Sequence, residues 1–370
     1  MNAFNHLLCC VDCSSTREPS VKDLYCEVCG GLFKVEYLDA PDGITPRLPM
    51  DDPALSNSLG EGDTPVVLLE KTGESLGLKS LWAKFEFMAP TGSFKDRGSA
   101  VLTTIGRDLG VTEFIEDSSG NAGASLSAYA AAAGMKAHVF APSSAAAGKL
   151  DQIQIFGASL HKIDGPRQAS TDAAEEFVRE RKLCYLSHNL SPYFSEGMKA
   201  VSYEIADVLG DDIDHVVLPV GNGSLLIGMV RGYRELLAAG VIAKIPKFHC
   251  VQAHAVRPLV AAFNGEVWSH RDALPTDASG IAVSKPPRLA EMLEVIKLTG
   301  GSAITISEES LSVWQKRLSS SEGLFSEMTS AGAFAGLESL IQSGEIEQDS
   351  NVCVPVTGSG LKEPLKQVDD

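Results

Sequence analysis

From Trp82 to Gly358 the chain alternates short apolar, β-branched runs with longer segments that carry apolar residues at helical spacing. The runs, read as strands, include "LWAKFEF", "TEFIED", "KAHVFAP", "LCYLSH", "HVVLPVG", "KFHCVQ" and "SNVCVPVTG". Between them lie segments read as helices, such as "NAGASLSAYAAAAG", "SEGMKAVSYEIADVLG" and "SLLIGMVRGYRELLAAG", each stopped by a glycine. Strands that are apolar throughout are buried on both faces, so the pattern predicts parallel sheets covered by helices on either side. With 370 residues the chain exceeds the usual span of a single hydrophobic core, which implies two such layers. The expected fold class is therefore α/β, with two open, twisted, mostly parallel sheets, each flanked by helices.

The first 45 residues do not share this rhythm. Cys10 and Cys13, then Cys26 and Cys29, form two CxxC pairs, followed by Gly30, Gly31 and the alternating run "LFKVEY". Four thiolates on two turns suit tetrahedral zinc in a closed, structural site. Free thiols or a redox CxxC pair are the alternatives, and Cys9 stands beside Cys10 as a competing ligand. The later cysteines Cys184, Cys250 and Cys353 are isolated, which argues against a disulfide framework. Pro41, Gly43, Pro46 and Pro49 read as a turn-rich linker into the body of the chain.

Charge and composition exclude several partners. Lys and Arg number 31 against 48 Asp and Glu, a net charge of −17 without any basic block, so no nucleic-acid partner is expected. The start "MNAFNHLLCC" lacks a basic-then-apolar leader pattern and no segment has the apolar length of a membrane span, so a cytoplasmic protein without a membrane partner is expected.

Ligands of parallel α/β folds collect at the carboxyl ends of strands. Three loops at such ends carry the residues of an anion site. "DSSGNAG" offers hydroxyls and N–H groups at a helix start, "PVGNGSLLIG" has glycines that let the backbone curl around a phosphate, and "PVTGSGLK" sets Thr357 beside two glycines. Taken singly, each also reads as an ordinary cap or tight turn. The fourth segment is "PTGSFKDRG", where Ser93 and Asp96 have the spacing of a capping box. Lys95 puts a cation in that first turn, where the helix dipole disfavours it and lowers its pKa toward that of a neutral nucleophile. An amine, a phosphate cradle, a hydroxyl and an amide at strand ends are what a phosphate-bearing aldehyde such as pyridoxal phosphate needs.

In their order along the chain, "PTGSFKDRG", "SSGNAGAS", "VGNGS" and "TGSGLK" resemble the threonine synthase branch of the fold-type II pyridoxal-phosphate enzymes, over roughly residues 60 to 365. The resemblance implies a lyase in which Lys95 is the Schiff-base lysine and proton shuttle. It also implies that Asn121 bonds the ring hydroxyl, that Gly221, Asn222, Gly223, Ser224 and Leu225 cradle the phosphate, and that Thr357 is the uncharged neighbour of the ring nitrogen. Thr91, Ser118, Ser119, Gly120 and Lys199 fall on the substrate side. A structural zinc ribbon over residues 1–45, a small domain over 85–185, a large one from 46–84 with 186–370, and a homodimer complete the implied architecture. The implied reaction is elimination or replacement at the β or γ carbon of a small amino acid, such as O-phosphohomoserine.

Several positions depart from that pattern. Ala89 stands where the branch has Asn, Met328 follows Glu327 in place of Pro, and "SHNLSPYFSEGMKA" carries Phe194 where an arginine that clamps the substrate phosphate is expected. "ASGIAVSKPP" is similar to a segment of serine/threonine dehydratases and diaminopropionate ammonia-lyases. A dehydratase, an ammonia-lyase, a cysteate-synthase-like paralogue and a catalytically silent amino-acid-binding homologue therefore stand as alternatives. Glu327 can face the cofactor but reads more simply as a solvated helix-start carboxylate; His188 and Arg97 are candidate anion contacts, with a satisfied strand-end histidine and an Asp96–Arg97 helix surface as the simpler readings.

Overall fold

A computed structural model describes residues 4–43, 45–50, 57–118, 120–145, 147–165 and 167–363. Strands β1 (His6–Cys10), β2 (Thr16–Arg17) and β3 (Phe33–Tyr37) make a small antiparallel sheet in the order β2-β1-β3. The body contains β4 (Val66–Leu68), β5 (Ser80–Lys84), β6 (Glu113–Glu116), β7 (Lys136–Pro142), β8 (Ser159–Ile163), β9 (Cys184–Tyr185), β10 (His215–Pro219), β11 (Lys247–Ala253), β12 (Ala303–Ile306) and β13 (Asn351–Pro355). Six of these form one sheet, β12-β11-β10-β13-β5-β4, and four form another, β8-β7-β6-β9. Every pairing in the two sheets is parallel except that of β4 with β5.

Burial explains why the apolar runs became central strands. All five residues of β10 are buried, with Val216 paired to Phe248 on one side and Cys353 on the other. Each fully buried Val or Leu contributes about 1.5–3 kcal/mol, so such a strand holds its place only between two helical layers. The helices Ser224–Ala238 and Met328–Gln342 supply apolar faces for it.

The expected elements shift in a few places. "LWAKFEF" is a strand only to Lys84 and continues as a 3-10 turn, Glu86–Met88. In "LCYLSH" only Cys184 and Tyr185 pair, and the rest turns toward the cavity described below. The helix expected through "SEGMKAVSYEIADVLG" is two, Pro192–Gly197 and Lys199–Leu209, meeting at Met198.

Buried ions fasten the layers. Lys199 Nζ lies 2.8 Å from Glu196 and 2.9 Å from Glu235 and donates to Tyr37 Oη at 3.0 Å; Arg231 extends the cluster to Glu291 at 2.6 Å. A second cluster joins Arg97 to Glu86 and Glu204, each at 2.6 Å, so Arg97 belongs to the interior and not to a helix surface. The amino-terminal sheet is docked through Tyr37, whose hydroxyl donates to Glu196 at 2.7 Å, and through Arg288, which donates to the carbonyls of Phe33 and Leu190.

Candidate active site

A cavity of about 880 Å³ opens at the carboxyl ends of both parallel sheets. Its wall includes the residues that follow β6, β7, β9, β10 and β13, so one crevice collects loops scattered from Asp117 to Thr357. This is where parallel strands release their chains toward helix N-termini.

Lys95 lies in this crevice at the start of the helix Lys95–Asp108. The expected capping box is absent: no side chain caps the helix, and the Asp96 carboxylate instead accepts from the backbone and hydroxyl of Thr91, at 2.6 and 2.5 Å. Phe94 N–H donates to Thr357 carbonyl at 3.1 Å and Ser93 bridges Gly358, which sets the Lys95 segment beside the loop after β13. The ammonium lies 4.3 Å from the Phe94 ring centroid and 5.8 Å from that of Phe194. Burial lowers its pKa to about 8, with Glu116 and Glu327 acting in the opposite direction.

Opposite stands the loop after β10. Gly223 has φ +84°, a left-handed conformation open to glycine, and a Cβ there would lie 2.3 Å from Met292 Sδ. The helix Ser224–Ala238 begins without a side-chain cap, leaving its first N–H groups for a ligand on the cavity wall. Asn222 Oδ1 is buried and, among the described residues, has no hydrogen-bond partner.

Glu327 is the most buried carboxylate on the wall. It is 1% exposed, accepts from Asn121 Nδ2 at 2.9 and 3.1 Å, and lies 3.2 Å from Lys149 Nζ. Desolvation raises its pKa against the pull of Lys149. A Cβ at Gly358 would lie 2.2 Å from its Oε2, so glycine admits the carboxylate. The expectation of a solvated helix-start residue is thus corrected, because the helix Met328–Gln342 starts inside the cavity wall. Thr357, also on the wall, shares a 2.8 Å hydrogen bond with Ser330, a residue that no sequence motif singled out.

Of the residues singled out from sequence, Lys95, Asn121, Ser118, Gly120, Thr357 and the loop Gly221–Leu225 share this cavity. Two do not. The Thr91 side chain is committed to Asp96 and lies off the wall, and Lys199 is the hub of the buried ion cluster. Neither is available to a substrate; a lysine at an apolar helix start carries the same sequence signal whether it meets solvent, ligand or buried glutamates. Ser119 lies outside the described residues. His188 does reach the wall, with Nδ1 2.5 Å from the buried Glu116 Oε1, a pairing hidden by 72 residues of separation. Phe194 is fully buried behind the wall, its ring 5.8 Å from that of His188.

Away from the crevice floor, Cys10, Cys13, Cys26 and Cys29 bring their four sulfurs within 4.8 Å of one another, with Cys10 to Cys29 at 3.4 Å and Cys13 to Cys26 at 3.7 Å.

Residues 57–358 match the family described as pyridoxal-phosphate dependent enzyme. The chain is 34% identical to the threonine synthase of Methanocaldococcus jannaschii, over 96% of this chain and 92% of that one. It is 31% identical to the threonine synthase of Methanosarcina acetivorans, over 97% and 93%. Among solved structures, O-ureido-L-serine synthase superposes with a TM-score of 0.70 at 20% identity, covering 83% of this chain and 92% of that chain. Threonine deaminase isoform 2 of Solanum lycopersicum gives 0.69 at 20%, covering 80% and 79%. The last two are likenesses of fold.

Proposed function

The chain belongs to the pyridoxal-phosphate-dependent enzyme family, on its threonine synthase branch, and from that premise we propose that it is a lyase which eliminates or replaces a group on a small amino acid, with Lys95 as its proton carrier. The observation that carries this reading is the meeting of Lys95, Asn121 and the Gly221–Leu225 loop in one cavity.

The residues present fit the cofactor. Asn222 Oδ1 and Asn121 Oδ1 are buried polar atoms lacking partners among the described residues, and an isolated buried acceptor is costly unless a ligand satisfies it. The loop Gly221–Leu225 with the N-terminus of its helix would hold the phosphate, Asn121 the ring hydroxyl, Thr357 the ring nitrogen and Lys95 the aldehyde carbon. Thr357 is uncharged and bonded to Ser330, so it would leave the ring nitrogen without a proton donor of acidic strength. Bound there, the cofactor supplies an electron sink for charge at the substrate Cα.

The chain's own side chains do the rest. Ser118 and Gly120 line the wall and bind the substrate carboxylate; Lys95 Nζ, neutral in part near pH 8, takes the Cα proton and returns it during turnover. Glu327 holds Asn121 by both oxygens and fixes the direction in which its amide faces the cavity. The four sulfurs fit a structural zinc, since tetrahedral Zn–S bonds of about 2.3 Å set sulfurs roughly 3.8 Å apart. Such a metal would close the turns around Cys10–Cys13 and Cys26–Cys29.

Purified protein supplied with cofactor is expected to show a visible band that borohydride abolishes, and to release phosphate and threonine from O-phosphohomoserine. Absence of the band refutes the enzyme reading. A second reading, elimination from a hydroxy amino acid such as serine or threonine, is favoured by Phe194 in place of a phosphate-clamping arginine; ammonia release from serine without phosphohomoserine turnover would establish it.

A further inference from the structure

The cysteine knuckle and the cavity meet at one residue. Tyr25 immediately precedes Cys26, is 52% exposed, and lines the same cavity as Lys95 although it lies 70 residues before that lysine in the chain. Its backbone is held within the knuckle: Tyr25 bridges Leu32 antiparallel, Cys26 N–H donates to Gly31 carbonyl at 2.7 Å, and Gly30 N–H returns to Cys26 carbonyl at 2.8 Å. The other cysteine turn is stitched to the same place, because Val11 N–H donates to Leu32 carbonyl at 2.9 Å.

The surroundings of Tyr25 are also fixed from the body side. Glu175, on the helix Arg167–Arg181, lines the same cavity as Tyr25. Arg288, 5% exposed, donates to Phe33 carbonyl of the amino-terminal sheet and at 2.7 Å to Leu190 carbonyl on the cavity wall. The knuckle's sheet is therefore tied to the wall it overlooks. A large, half-exposed aromatic at a cavity mouth normally costs apolar exposure without a return in packing.

We propose that the four-cysteine knuckle is part of the substrate site: by clamping the turn that carries Tyr25 it sets one rim of the cavity, and that ring limits the size of the amino-acid side chain admitted. Tyr25 is thus a specificity-determining residue and the cysteines position it. The inference rests on the reading of the Lys95 cavity as an amino-acid site.

The test uses the full chain loaded with cofactor, as wild type, Tyr25→Phe, Tyr25→Ala and Cys13→Ser. Dissociation constants for serine and for the bulkier norleucine are read from the change in the cofactor's visible absorption, and zinc content by chelator release. Tyr25→Ala is expected to weaken serine at least 5-fold and to shift the serine-to-norleucine preference at least 10-fold toward norleucine, with zinc content unchanged. Tyr25→Phe keeps the wild-type preference within 2-fold, and Cys13→Ser loses zinc and shifts preference in the same direction as Tyr25→Ala. In parallel, the full chain stripped of cofactor is treated with a bulky amine-reactive reagent and Lys95 modification is followed by peptide mass spectrometry; Tyr25→Ala is expected to raise the rate at least 3-fold. Unchanged preference and unchanged modification rate in Tyr25→Ala overturn the rim, and a zinc-free Cys13→Ser protein with wild-type values overturns the part given to the cysteines. Should the wild type bind no amino acid, the reading of the previous subsection fails, while the Lys95 modification rates still decide whether Tyr25 guards the cavity.

Discussion

Asn121 Nδ2 donates to both oxygens of Glu327, at 3.1 and 2.9 Å, across 206 residues of chain. The pair joins the helix start after β6 to the helix start before β13, one from each parallel sheet. It holds the Asn121 amide in one orientation, with Oδ1 left buried and unpartnered among the described residues. If orientation is what Glu327 provides, a neutral amide acceptor suffices. Glu327→Gln is expected to keep activity within about 10-fold, whereas Glu327→Ala, which frees Asn121 and leaves Lys149 with Glu363 as its remaining carboxylate partner, loses on the order of 100-fold or more and weakens cofactor binding. Parallel cofactor titrations and kcat measurements of the two variants check this; equal loss in both would mean that the carboxyl group itself moves a proton.

Gly223 tests the anion cradle. Alanine there carries a left-handed penalty of about 1–2 kcal/mol, and its Cβ would in addition be forced onto Met292 Sδ at 2.3 Å. Gly60 has a similar φ, +89°, with nothing within 4 Å of its Cβ position. Gly60→Ala is therefore expected to lower stability slightly with cofactor affinity unchanged, and Gly223→Ala to weaken cofactor at least 10-fold. Fluorescence titration of both variants separates local strain from damage to the cradle.

Lys199 is expected to behave as a core residue. It lies within 3.0 Å of Glu196, Glu235 and the Tyr37 hydroxyl, and its side chain is 1% exposed. Removing one partner from a buried ion cluster typically costs about 3–5 kcal/mol, because the remaining charges stay desolvated. Lys199→Ala should lower the urea midpoint strongly, while any folded fraction keeps the wild-type KM. A raised KM at unchanged stability would return Lys199 to the substrate side.

The contrast between Lys199 and Lys95 marks what the residue order could reveal. Strand-end loops with glycine, serine and asparagine were legible because backbone geometry demands those residue types locally, and the α/β rhythm was legible because burial on both faces demands continuous apolar runs. The partners of charged residues were not. Glu327 on the cavity wall and the fully buried Glu116 became interior carboxylates only through Asn121, Lys149 and His188, brought together from three distant segments. The capping box failed for the same reason: Thr91, held in the turn before the helix, took the Asp96 carboxylate that local spacing had assigned to the helix end.

Lys95 yields the prediction with the clearest sign. Burial lowers its pKa from 10.5 to about 8, so between those values the unfolded chain binds a proton that the folded, cofactor-free chain does not. Stability then rises with pH across that window, and below it the folded chain carries the full cost of a buried ammonium. Other groups titrate in the same range, so the informative quantity is the difference between wild type and Lys95→Met, where the contribution is deleted. Cofactor-free wild type is expected to gain stability relative to Lys95→Met as pH rises from 7 to 10, measured as the shift of the urea midpoint at each pH. With cofactor bound to Lys95 the wild-type gain should vanish, because the free amine no longer exists to be protonated. A wild-type chain that tracks Lys95→Met at every pH without cofactor would place the lysine in solvent, and with it would go the account of how its amine is made neutral enough to act.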